Sequence, residues 1–140
     1  MNRYRSEFPA VKFSPRIILL LFVILLAVGC GEKPERHLDL GLWYYQKGLV
    51  DDAILEFKEV IRLLPADPRR MSGHELDVVT RAHYNLAVAY ARKNWYELAL
   101  IEAGKTFELR PTPENYELQE LIRKRKDLES LNSPATSRPD

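Results

Sequence analysis

Cysteine is almost missing from this 140-residue chain: Cys30 is the only one. One thiol excludes an intramolecular disulfide and any metal site built on several thiolates. Glycine is sparse as well, at six residues, and none of them forms a phosphate-cradling loop or a nucleophile elbow. The three histidines are His37, His74 and His83. His74-Glu75 lacks the second histidine that a zinc-protease helix requires. No catalytic constellation emerges, and no cofactor or metal is expected. The formal charge of +1 is close to balance, and it hides a split. The first 29 residues hold four of the 21 bases and one of the 20 acids, which leaves 17 bases and 19 acids from Cys30 onward. That net −2 surface carries no footprint for nucleic acid.

What the chain does have is one long apolar run, Ile17 to Val28, twelve residues without a break behind Arg3, Arg5, Lys12 and Arg16. As a helix the run spans about 18 Å at 1.5 Å per residue. A bilayer core is about 30 Å thick and takes about 20 residues. The run therefore has the size of a signal-peptide core rather than of a permanent span. Ala27, Val28 and Gly29 follow as small residues, and then Cys30. This stretch resembles the lipobox of bacterial lipoproteins.

The resemblance implies residues 1–29 as a signal peptide, cleaved before Cys30, and residues 30–33 as a lipidated tether. Cys30 would carry a diacylglycerol on sulfur and an acyl group on its new amino end. Two or three chains hold a protein on a membrane where one does not, at about 0.8 kcal/mol per buried methylene. Gly31, in place of the Asp that retains such proteins at the inner membrane, implies the outer membrane facing the periplasm. The alternative is an inner-membrane protein held by an uncleaved signal anchor.

From Pro34 to about Leu131 the periodicity is helical and no strand-like alternation persists. Leu40, Gly41, Tyr44, Gly48, Ala53, Phe57 and Pro65 stand at the spacing of a 34-residue helix pair. Leu86, Ala87, Tyr90, Asn94, Ala99 and Pro111 repeat it 46 residues later, with Ala103 where the first copy has Phe57. Phe107 is expected to restore the volume lost at Ala103. The pattern resembles the tetratricopeptide repeat. It implies an all-α fold of antiparallel helix pairs, stacked as a short right-handed solenoid with a C-terminal capping helix.

Repeat one would cover about 34–67, an insertion 68–79, repeat two 80–113 and the capping helix 113–131, within one domain of residues 34–131. The insertion should extend the first helix of repeat two backwards by about two turns, behind the capping box Ser72-Gly73-His74-Glu75. Thr112 and Pro113 read as the cap and first turn of the last helix. Residues 132–140 read as a disordered polar tail.

In that repeat family the first helices line a groove that receives a partner segment. By position the groove residues here would be Leu38, Leu42 and Tyr45 from repeat one and Arg81, Tyr84, Val88 and Arg92 from repeat two. This strip is apolar and aromatic with basic edges. His37 and His83, at the same place in their repeats, are expected to pack near the helix crossing. Trp43, Trp95 and Tyr96 are expected in core or loop packing, and Arg123 to Lys126 on a solvated helix face. The implied function is a membrane-anchored adaptor that binds an envelope protein. The alternative is a self-associating structural subunit, such as a homodimer, whose groove is covered by the capping helix or a second copy.

Overall fold

The computed structural model describes residues 32–132, and Cys30, the apolar run and the polar tail lie outside them. The described residues are all-α. The helices are α1 (Pro34–Gln46), α2 (Val50–Leu63), α3 (Gly73–Arg92), α4 (Tyr96–Leu109) and α5 (Pro113–Asn132). A short 3-10 turn at Pro68–Arg70 lies between α2 and α3. No strand occurs among the described residues.

The boundaries follow from local chemistry. Pro34 and Pro113 sit in first helical turns, where the missing N–H would have had no partner. Leu64 precedes Pro65 and Arg110 precedes Pro111, and both are extended, because a proline ring bars the α conformation from its predecessor. Ser72 accepts from the Glu75 amide at 3.2 Å while Glu75 accepts from the Ser72 amide at 2.7 Å, so the capping box closes in both directions. The α3 helix that starts there is 20 residues long against 13 in α1. The difference is two turns.

The α1–α2 and α3–α4 turns are the same structure. In the first, the Gly48 amide donates to Tyr45 O and the Leu49 amide to Tyr44 O. In the second, the Asn94 amide donates to Ala91 O and the Trp95 amide to Tyr90 O. Each is a Schellman cap, which needs one left-handed residue. Gly48 takes it at φ 80° and Asn94 at φ 59°. Glycine adopts that region freely and asparagine is among the few others that do.

Each helix packs on the next, and α1 also packs on α3. His37 early in α1 meets Glu56 midway along α2, and His83 meets Glu102 in the same way across α3 and α4. The Gln119 amide of α5 donates to Ala103 O of α4 at 3.3 Å, and Lys126 reaches Glu97 at 3.1 Å, which makes that pair antiparallel too.

The core runs through all five helices. Leu38, Phe57, Val60, Val78, Leu86 and Thr106 are its largest fully buried side chains. At the α1–α2 crossing a Cβ on Gly41 would stand 2.5 Å from the Phe57 ring, so the glycine is what admits the phenylalanine. At the α3–α4 crossing Ala87 and Ala103 face the same duty, and both are fully buried.

One expectation needs correction. Phe107 does not fill the space beside Ala103; it is partly buried and lies against the Tyr116 ring of α5, with centroids 6.2 Å apart. The apolar residues of α5 are used unevenly. Leu118 and Ile122 are buried, whereas Tyr116, Leu121, Leu128 and Leu131 are exposed.

Candidate functional site

The seven residues assigned to a groove divide. Leu38 is buried in the core at 1% exposure and faces no groove. The cause is the two-turn extension of α3, which runs beside α1. There His74 Nε2 donates to Glu35 at 2.9 Å, and Val78 and Val79 join Leu38 in the buried cluster. The other six line two clefts that follow one another along α3.

The larger cleft holds about 410 Å³ and is lined by Leu42 of α1, Arg81 and Tyr84 of α3, and Glu114 and Asn115 of α5, with Asp77 and Arg110 at its side. The smaller, of about 180 Å³, is lined by Tyr45 of α1, Val88 and Arg92 of α3, and Leu118, Leu121 and Arg125 of α5. Thus α5 does not lie over these residues. It supplies a wall of both clefts.

Position and charge are set locally. The Asn115 amide is buried and donates to Arg110 O at 2.8 Å and to Thr106 O at 3.4 Å. It thereby adds a second bond to two carbonyls at the end of α4, which also accept from the Arg110 and Thr112 backbone N–H groups. Thr112 Oγ1 accepts from the Asn115 amide N–H at 3.3 Å, capping α5. These bonds fix where α5 leaves α4 and so fix the far wall of the larger cleft. Burial, followed by the negative charge of Glu114, pushes the Tyr84 hydroxyl above the ordinary tyrosine range. Tyr84 is therefore a neutral donor at any physiological pH.

Four arginines face the clefts, against two acids, Asp77 and Glu114. Arg110 pairs with Asp77 at 3.3 Å. Arg92 lies over the Tyr45 ring at 5.1 Å, and its Nη1 donates to Tyr45 O at 3.4 Å. Arg81, Arg92 and Arg125 meet no carboxylate within ion-pair distance among the described residues. The smaller cleft has two arginines and apolar walls with no acid.

The histidines belong elsewhere. His37 Nδ1 donates to Glu56 and His83 Nδ1 to Glu102, each at 2.6 Å. Burial pushes the Glu102 carboxyl up, but its hydrogen bonds from His83 and Lys105, with their charges, outweigh that and hold it below the usual range. Glu32, His37 and Glu59 also come within 4.8 Å of one another, in the manner of a cation site. Arg62 already pairs with both Glu59 and Glu32, and so supplies the positive charge a cation would bring.

Tyr96 is buried, with its hydroxyl on Asn94 Oδ1 at 3.0 Å. Trp43 and Trp95 are half exposed, and Trp95, in the α3–α4 turn, lies against the Tyr90 ring with centroids 5.8 Å apart. Sequence reasoning missed the contribution of α5 to the clefts, and it missed both glutamate partners. The glutamates did leave a signal, since Glu56 and Glu102 are separated by the same 46 positions as His37 and His83. No family model, curated protein or solved structure matches this chain.

Proposed function

We propose that this chain is a lipid-anchored adaptor of the bacterial cell envelope, with a tetratricopeptide-type module on an acylated Cys30. The module is a right-handed stack of two helix pairs, closed by α5. Its partner is another envelope protein, bound through a segment that carries apolar side chains interspersed with carboxylates. The anchor holds the module at the outer membrane, facing the periplasm. Tethering raises the effective concentration of whatever the module binds.

The observation that carries the reading is the pair of clefts along α3. They join aromatic and aliphatic walls to Arg81, Arg92 and Arg125, none of which has a carboxylate partner among the described residues. Arginine and tyrosine around a desolvated apolar centre are the residues that dominate binding energies at protein interfaces. Identical Schellman turns and identical His–Glu bridges 46 residues apart support the repeat arrangement.

A second reading rests on α5. Leu121, Leu128 and Leu131 are 61, 50 and 80% exposed on one helix, which suits a second copy of the chain as occupant. Photoreactive residues at Tyr45 or Tyr84, compared in the native envelope with one at the exposed Leu55, separate the two. The adaptor reading expects a defined heterologous adduct from the cleft positions alone, lost on Arg81→Glu with Arg92→Glu. An adduct of twice the chain mass supports self-association. Equal capture at Leu55 contradicts both.

A further inference from the structure

The outer edge of α1 carries a pattern that the cleft does not use. At 100° per residue Arg36, Leu40, Trp43 and Lys47 fall within an arc of about 60°. They point away from Leu38 and Gly41, which face the core. Arg36 and Lys47 are exposed, Trp43 is 50% exposed and Leu40 is partly covered. Lys47 Nζ sits 5.8 Å from the centre of the Trp43 ring. Lys33 extends the same line by one turn, with Glu32 beside it and Asp39 on its flank. An indole between cations on an uncovered helix edge is the composition of a membrane–water interface, where tryptophan sits at headgroup depth and basic side chains meet anionic phosphates.

We propose that this edge of α1 lies along an anionic phospholipid surface, with Trp43 among the headgroups and Arg36 and Lys47 on lipid phosphates. The inference rests on the membrane-anchored reading given above and specifies how the module is oriented on the bilayer. Chain length supplies the occupant. Only Gly31, Glu32 and Lys33 separate Cys30 from Pro34, a reach of at most about 14 Å. An acyl chain on Cys30 therefore keeps the start of α1 at the headgroups. The 13 residues of α1 then extend about 20 Å from that point. With its uncovered edge on the surface, α1 leaves its other sides to α2 and α3.

Trp43 and Trp95 are the only tryptophans, which makes the test direct. The full chain is purified from native membranes and reconstituted into phosphatidylglycerol-containing vesicles with brominated acyl chains. Trp95→Phe leaves the Trp43 signal and Trp43→Phe leaves that of Trp95. The expected result is quenching of Trp43 by twofold or more, well above that of Trp95. The quenching should weaken in uncharged phosphatidylcholine and in Arg36→Glu/Lys47→Glu, whose side chains are on the surface and do not hold the fold.

Quenching of Trp43 no greater than that of Trp95, or unchanged by the two charge reversals, overturns the inference. The mass of the N-terminal peptide from the same material tests the anchor separately. Acylated Cys30 with unquenched Trp43 leaves the anchor standing and removes the orientation. An unmodified thiol with quenched Trp43 does the reverse.

Discussion

The two helix pairs solve one packing problem in two ways. At the α1–α2 crossing the sequence places nothing at Gly41 and a large ring at Phe57. At the α3–α4 crossing it places a methyl on each side, Ala87 and Ala103. The first crossing sets a ring against bare backbone, and the second sets two small side chains in its place. The same comparison holds for charge. His37 and Glu56 form their bridge at 20 and 22% side-chain exposure, whereas His83 and Glu102 form it at 8 and 12%. The second pair is the more desolvated of the two, so losing one partner there should matter more.

The sharpest way to break this comparison is to move one solution into the other pair. Phe57→Ala should destabilise the chain by about 3–5 kcal/mol in urea denaturation, through lost burial and the cavity left behind. Gly41→Ala alone should destabilise by about 1–3 kcal/mol, because its methyl meets the ring. The double variant Gly41→Ala/Phe57→Ala reproduces the second crossing and should fall short of the summed effects. Strict additivity would show that the crossings are not related in this way.

Next in size are the bridges. His83→Ala should destabilise by about 2 kcal/mol, as expected for a buried hydrogen bond to a charged partner. His37→Ala should do so by about half as much, and equal effects would remove the distinction of depth. Glu102 makes the same point in pH. Its carboxyl is held below the usual range in the folded chain. The unfolded state therefore binds its proton first, and Glu102 contributes stability that is present above about pH 4.3 and lost as pH falls through the folded value. Unfolding free energies between pH 6 and 3 should fall less steeply in Glu102→Gln below that point.

The smallest effect sharpens the contrast between glycines. A Cβ on Gly104 would meet nothing within 4 Å. Gly104→Ala should raise stability by about 0.5–1 kcal/mol, through the better helix propensity of alanine. Gly41→Ala lowers it.

Much of this fold is written in local signals. Helical periodicity, the prolines at 34, 65, 111 and 113, the Ser72–Glu75 box and the Gly48 and Asn94 turns all act within a few residues, so they read directly from the chain. The misreadings come from contacts made at a distance. Leu38 was placed by analogy with Tyr84, 46 residues on, but α3 is two turns longer than α1 and the pairs are not surrounded alike. The part α5 plays in the clefts depends on the Asn115 side chain holding the end of α4, and no periodicity announces that. The anchor is legible only as a resemblance, since Cys30 lies outside the described residues.

That anchor is also where the proposed function is most exposed to test. Intact-mass measurement of the chain taken from native membranes reads it in one step. The expected mass lacks residues 1–29 and gains a diacylglycerol with or without a further acyl group on Cys30. A chain that retains Met1 and carries a free, unmodified thiol would contradict it.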